Sequence, residues 1–505
     1  MFRHPTVLID DRTFDAFQRF KPPVDSDPAW AFNEFATARF NDARLTHRLQ
    51  LLATQFVQQP LASIPQACGS WSNSKAAYRF CSNGKVSFER ILAPHYQRSV
   101  ERAQRSGSSV ILCPQDTTTL NYIAHPATQG LGQVGTKPGR SLGMLLHSTL
   151  AVSPEGQFFG LLHAHCWSRP KPKKTKKTRR GRAQKKIQDK ESFRWLESFR
   201  RVEELARSHP DQLWVSVEDR EGDIYPVLQE ATAPGHHAGL LVRARHDRPL
   251  ASQNRPSLFN HMRRLPQAGL WSTRVPRHED QPARDVLLSI RFDQITISAP
   301  RQHRRQPPLT LWTVWAEEID PPTGQKPIRW CLLSTVPVQT LAEAIERIQW
   351  YLKRWTIEEF HRVLKSGCQV EARQLTTRLR LQRALALDMV VAWRVMDLTK
   401  AARLQPDAPA DLWLSTDEWQ ALHCYVHQSA TVPQEPPTIG QAVVWIAQLG
   451  GFLARKSDGH PGSMTLWRGL QRLNDIVHAW KAFGPNCRIP PPRRRRPRKY
   501  RKRCG

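Results

Sequence analysis

Three acids stand out by their position. Asp116, in PQDTTTLNY, closely follows the apolar run Val110 to Cys113, and Asp219, in SVEDREGDIY, continues the alternation of Leu213, Val215 and Val217. Each therefore ends a strand predicted to be buried, where a carboxylate is poorly hydrated unless a cation neutralises it. Cation binding is the chemistry open to such acids, although each taken singly also reads as a strand-end acid or helix cap. Glu218, Glu221 and Asp223 compete with Asp219 on composition alone. The third acid, Glu358, lies within YLKRWTIEEFHRVLK, residues 351–365. With Tyr351 at zero and about 100° per residue, Arg354 falls near ~300°, Glu358 near ~340° and Lys365 near ~320°. Leu341, Ile345, Ile348 and Leu352 fall near ~60–120°, the face that packs inward. A carboxylate is thus flanked along one helix face by a phenol, a guanidinium and an ammonium, a spacing that equally describes a modest surface ion pair.

The elements that must position these residues follow from the hydrophobic pattern. Residues 1–27 read as a flexible leader. From Trp30 to about Phe88 the apolar residues recur at helical spacing, broken at Pro60, which predicts a small helical domain over 28–105. Arg44, Arg48, Lys75 and Arg79 are candidates for a DNA-facing side of it, although surface helices carry such bases by default. After Arg105 come short β-rich runs bounded by Gly, Pro, Ser and Asp, among them SSVILCPQDTTTLNY, LGMLLHSTLAV, QLWVSVEDREGDIY and GLLVRAR, with the helical KESFRWLESFRRVEELARS in their midst. A further β-rich stretch leads into two predicted helices, Leu341 to Gly367 and Thr377 to Arg403. Strands interleaved with helices give an α/β domain over 106–403, with a β-rich insertion near 250–315. Residues 404–483 read as a proline-bent link followed by a last helical domain, and 484–505 as a disordered basic tail.

Charge narrows the partners. The 505 residues hold 75 Lys+Arg against 44 Asp+Glu, a formal +31. The runs RPKPKKTKKTRRGRAQKK (169–186) and RIPPPRRRRPRKYRKR (488–503) contain 11 and 10 bases and no acid, so 31 − 11 − 10 leaves +10 on the rest. Such a field on the folded body suits a phosphate polymer, so nucleic acid is the leading partner. Nine cysteines are scattered without C-x-x-C spacing, which suits free thiols in a reducing compartment. Neither a secretory leader nor an apolar membrane span is legible, and the expectation is a cytoplasmic protein. Two weaker signals are set aside. GLGQVGTK has Thr136 before Lys137 where a phosphate loop needs Lys before Ser or Thr, and HAHC (His163, His165, Cys166) lacks a paired ligand block.

The spacing Y-x2-R-x3-E-x6-K, met by Tyr351, Arg354, Glu358 and Lys365, resembles the signature of DDE transposases of bacterial cut-and-paste insertion sequences, the insertion-sequence-four family in its Tn-five-like branch. AYRF, QDTTTLNY, EDREGDIY, AEEIDPPTG and RWTIEEFH are similar to family segments and occur in the family's order, from roughly Trp30 to Phe483. The resemblance implies a ribonuclease-H-like catalytic core in which Asp116, Asp219 and Glu358 are the catalytic acids and hold two Mg²⁺, with Mn²⁺ as a substitute. It implies that Tyr351, Arg354 and Lys365 hold the transposon end by its phosphates. It also implies that Trp330 stacks on a base flipped out during hairpin formation, and that Arg243 and Arg245 lie near the DNA end. The expected partners are terminal inverted repeats, target DNA and a second copy of the chain in a synaptic dimer, with 404–483 as the dimer contact. The bacterial nucleoid is the expected place of action. The basic run at 169–186 and the Arg-rich tail have no counterpart in the pattern.

Overall fold

Among the described residues ten strands form one mixed sheet, in the order Gly132–Gln133, Leu142–Val152, Val110–Asn121, Leu213–Glu218, Gly239–Arg243, Arg329–Ser334, Leu309–Glu318, Arg284–Ile297 and Gly269–Val275, with Phe158–Trp167 paired to the second of these. The computed structural model describes residues 30–135, 141–170, 186–252, 254, 256–275, 284–303, 305–455 and 458–484. The expected leader, most of the basic run at 169–186 and the tail beyond Gly484 lie outside the described residues.

Five helices open the described residues: α1 (Trp30–Glu34), α2 (Ala43–Gln58), α3 (Ile64–Cys68), α4 (Trp71–Ser82) and α5 (Phe88–Arg105). Their starts follow from side-chain caps, since Asp42, Ser63, Ser70 and Ser87 each accept a backbone N–H of the first turn. Arg44, Lys75 and Arg79 are exposed on α2 and α4, and Arg48 reaches Asn73 across them.

The central strands are β1 (Val110–Asn121), β2 (Gly132–Gln133), β3 (Leu142–Val152), β4 (Phe158–Trp167), β5 (Leu213–Glu218) and β6 (Gly239–Arg243). β1, β5 and β6 are mutually parallel, and β1, β3 and β4 antiparallel. Parallel neighbours need a crossover, which α6 (Phe193–Ser208) and α7 (Tyr225–Ala231) supply. After α8 (Leu258–Arg264), the strands β7 (Gly269–Val275), β8 (Arg284–Ile297), β9 (Leu309–Glu318) and β10 (Arg329–Ser334) pair antiparallel. β10 joins β6, so the β-rich stretch extends the same sheet.

Both faces of the sheet are covered, which explains why β3 and β5 are buried along nearly their whole length. One face carries α6, α7 and α8. The other carries α9 (Leu341–Leu352) against β8 to β10, and α10 (Trp355–Arg362) against β1. Next to these runs α11 (Arg378–Leu404), whose 27 residues contain no Gly or Pro and which is buried on every side from Ala384 to Met396. The final helices α12 (Thr416–Val426), α13 (Ile439–Leu449) and α14 (Ser463–Phe483) share with α11, α10 and the N-terminal helices a single apolar core.

The predicted helix from Leu341 to Gly367 is not one ideal helix. At Lys353–Arg354 the hydrogen bonds tighten to three-residue spacing, Arg354 N to Tyr351 O at 3.0 Å and Thr356 N to Lys353 O at 3.0 Å. Over Val363–Gly367 they widen to five-residue spacing, Cys368 N to Val363 O at 3.1 Å. Tightening overwinds the chain and widening underwinds it, so the two changes partly cancel in phase.

Candidate active site

β1 delivers Asp116 in register with Ser148 of β3, and the carboxylate accepts a 2.7 Å hydrogen bond from its neighbour's Thr117 N. Asp219 is the first residue beyond β5, and its side chain accepts Glu221 N at 2.7 Å, fixing the tight turn that follows. Because β1 and β5 pair in parallel up to Pro114↔Val217, Asp116 and Asp219 each stand two residues past that pair, Asp219 beyond the end of β5 and Asp116 where β1 continues beside β3. Glu358 comes to them from the first turn of α10, which packs on β1.

The competing acids near Asp219 are separated by the fold. Glu218 is fully buried, points to the opposite face of the sheet, and burial pushes its carboxyl well up. Asp223 is buried on Arg248 and accepts the backbone N–H of Arg245 and His246. Glu221 is exposed and paired with Arg194 at 2.7 Å.

Arg354 lies between strand and helix. Its guanidinium is 2.5 Å from Glu358 and 3.9 Å from Asp116. Burial, then the negative field of Asp219, push the Asp116 carboxyl up to about 7; Glu358 adds to this, while Arg354 and Thr117 N oppose it. The three acids therefore share one electrostatic field. They do not form a ready-made cage: among the described residues no group of three or more His, Cys, Asp or Glu is placed to hold a metal ion. Their chemistry nevertheless suits one. All donors are carboxylate oxygens, the set a hard divalent cation prefers, and a carboxyl raised by its like-charged neighbours gains from any cation beside it. Arg354 supplies that positive charge here.

Beside the acids opens a cavity of about 990 Å³ whose lining includes seven arginines and one lysine against a single acid, Glu358. Tyr351, Arg354, Trp330 and Arg243 all line it. The Tyr351 side chain is nearly buried, its ring 6.2 Å from that of Trp330, and its hydroxyl is a hydrogen-bonding neighbour of Arg243. Trp330, only 8% exposed, is set into the cavity wall. Lys365 sits in the widened turn after α10, where burial lowers its pKa against the pull of Glu371 and Asp116. Arg245 is not brought to this group: its side chain is exposed and it does not line the cavity. The sequence reading missed Arg220, Arg263, Arg274, Arg284, Lys326 and Arg329, which complete the basic wall. Arg220 alone carried a signal, its adjacency to Asp219; the others are spread through the β-rich stretch with no spacing to connect them.

Comparison with known proteins places two parts of the chain. Residues 27–86 match the transposase DNA-binding family, and residues 390–483 match the transposase Tn5 dimerisation domain. The chain thus carries a transposase-type DNA-binding segment before the strands in sequence and a dimerisation segment after them. Among solved structures, a cryo-EM structure of the piggyBac transposase synaptic complex with hairpin DNA is similar at 9% identity and a TM-score of 0.29, over 79% of this chain and 60% of that one. So distant a likeness carries no weight in the reading below. No helix among the described residues is long and apolar enough to cross a membrane.

Proposed function

We propose that the chain is a DDE transposase of the insertion-sequence-four family, Tn-five-like branch, which excises a DNA element and joins it to target DNA. The observation that carries this reading is the meeting of Asp116, from a strand, and Glu358, from a helix more than two hundred residues later, on Arg354 beside a strongly basic cavity. The two transposase-type segments support it from outside the sheet. The parallel β1, β5 and β6 flanked by antiparallel β3 and β4 are the arrangement expected of a ribonuclease-H-like core, with β7 to β10 as its insertion.

In this reading Asp116, Asp219 and Glu358 hold two Mg²⁺, or Mn²⁺ in their place. When bound, the ions supply charge stabilisation to the attacking and leaving oxygens of an in-line displacement. The chain's own residues do the remaining work. Arg354 grips a non-bridging phosphate oxygen pair through its planar fork, and Lys365 adds a point charge. Tyr351 and Arg243 fix the end of the duplex, and Trp330 offers a ring face to an unstacked base. Four displacements follow at the same acids. Water attacks a phosphodiester and frees a 3′-hydroxyl; that hydroxyl attacks the opposite strand, closing a hairpin and releasing flanking DNA. A second water opens the hairpin, and the regenerated 3′-hydroxyl attacks target DNA. Terminal inverted repeats are the substrate, and a dimer through residues 390–483 pairs two ends.

The test uses labelled duplexes from the DNA that flanks the reading frame, incubated with the full chain and Mg²⁺. Hairpins and joined products are expected. Nicks alone identify a nuclease, and a mobility shift without cleavage identifies a DNA-binding regulator; either result overturns the proposal.

A further inference from the structure

On the face of the sheet opposite the acids lies a buried chain of polar side chains that the reaction does not touch. Arg194, at the start of α6, donates from Nε to Thr117 Oγ1 at 2.7 Å. Since an arginine can only donate, the Thr117 hydroxyl is free to donate to His147 Nδ1, 2.9 Å away. His147 then carries its proton on Nε2 and donates to Gln115 Oε1 at 3.3 Å. The Gln115 amide donates in turn to Ser216 Oγ at 2.5 Å and Glu218 Oε1 at 3.2 Å, and Ser216 donates to Glu218 Oε1 at 3.0 Å. Every donor points the same way, from Arg194 to Glu218. Gln115, His147, Ser216 and Glu218 are all fully buried, and burying four polar groups in the middle of a sheet is costly unless they are partnered; of their side-chain polar atoms, Glu218 Oε2 alone lacks a partner.

The location suggests the purpose. Backbone pairing of β1 with β5 runs from Val110↔Leu213 to Pro114↔Val217 and stops there. The backbone pairing stops because β5 ends at Glu218, while β1 runs on to Asn121 beside β3 alone. The next residues on each strand are Gln115 and Glu218, and the ones after are Asp116 and Asp219. Strand alternation turns the first pair to the α6 face and the second pair to the catalytic face. Asp116, held on its other side by β3, and Asp219, past the end of β5, both lie beyond the last β1–β5 backbone pair and repel each other when charged; the Gln115–Glu218 bridge on the reverse side opposes that push. The turn carrying Asp219 rests on the same carboxylate. Gly222 comes so close to Glu218 Oε2 that a Cβ there would collide with it.

We propose that Gln115, Ser216 and Glu218 are positioning residues whose side-chain bridge continues the β1–β5 pairing past its backbone end and sets the spacing of Asp116 and Asp219 for a divalent cation. This rests on the function proposed above, in which the two aspartates are metal ligands. It concerns residues that never meet DNA or metal themselves.

The test is a Mn²⁺ titration of the full chain with end duplex, followed by the electron paramagnetic resonance of free Mn²⁺, with thermal melting beside it. Glu218→Leu and Gln115→Leu remove the bridge but keep side-chain volume, and a loss of roughly 10–100-fold in Mn²⁺ affinity is expected. Glu218→Gln still accepts at Oε1 and is expected to bind within about threefold of the parent. If the leucine variants do not fold, Gln115→Glu, which keeps the shape and removes the amide donors, is expected to weaken Mn²⁺ binding while Glu218→Gln does not. Folded bridge variants that bind Mn²⁺ like the parent, with only their melting lowered, overturn the proposal and leave a purely structural network. Failure of the underlying reading has a different signature: the parent binds no Mn²⁺ that Asp219→Asn abolishes.

Discussion

Asp116→Asn should make the metal-free protein more stable while destroying its chemistry, and the gain should appear only on the alkaline side. In the fold the Asp116 carboxyl is pushed from an ordinary 3.8 up to about 7, first by burial and then by Asp219 and Glu358. The folded state therefore holds a proton that the unfolded chain has released. Stability from this group is fully present below about 3.8, declines as pH rises, and is lost above about 7. At about 1.36 kcal/mol per pH unit the gap amounts to roughly 4 kcal/mol, and solvent reaching the side chain reduces this to roughly 2–4 kcal/mol. Asparagine keeps the neutral shape at every pH, so the variant should equal the parent near pH 4 and exceed it by that margin at pH 8. Urea denaturation in EDTA at a series of pH values measures the difference. Adding Mg²⁺ at pH 8 should stabilise the parent and leave the variant unmoved. Parallel pH curves for the two proteins would refute the claim that burial and the neighbouring acids outweigh Arg354 at Asp116.

Glu358→Ala is expected to retain end binding in a mobility-shift assay and to lose cleavage; equal cutting would show the acid to be misassigned. Arg354→Ala should weaken end binding and reduce the slope of log affinity against log salt by about one, as loss of one phosphate contact requires. Removing the basic run at 169–186 or the tail beyond Gly484 should flatten that salt dependence while sparing end specificity, and an unchanged slope would eliminate the role. Glu34 sits buried between Arg102 at 2.8 Å and His95 at 2.5 Å, and despite burial the Arg102 charge, with His95 hydrogen-bonded beside it, holds its carboxyl down to about 2. Its contribution is present above about 4.5 and lost as pH falls towards 2. Glu34→Gln leaves Arg102 unpaired and should cost roughly 3–5 kcal/mol in urea melts at pH 7, a loss that shrinks in acid.

Periodicity made the α/β pattern legible because both repeats are local: Leu213, Val215 and Val217 alternate, and Leu341 to Leu352 recur at helical spacing. It could not choose between Glu218 and Asp219, since both faces of β5 are buried and alternation does not say which one meets the site. The tightened turn at Lys353–Arg354 was equally hidden, because no Gly or Pro marks it. Three-dimensional pairings left the least trace. Gln115 and Glu218 lie 103 residues apart on parallel strands, and nothing in a single chain links their positions. The arginines of the cavity wall come from separate strands and turns, so their convergence exists only once β10 has joined β6. What the family resemblance added was a set of positions; it did not foresee Arg354 occupying the space among the acids.

The helix α11 has a consequence for how such a protein can be taken apart. On paper the DNA-reading and partner-pairing segments look like detachable modules at opposite ends of the chain. In space they are bolted to one rod: α2 and α5 clasp the same 27-residue helix that α13 and α14 do. Grafting either segment onto a foreign scaffold would leave half a groove exposed, so chimeras of this architecture must transplant the rod along with whatever it carries.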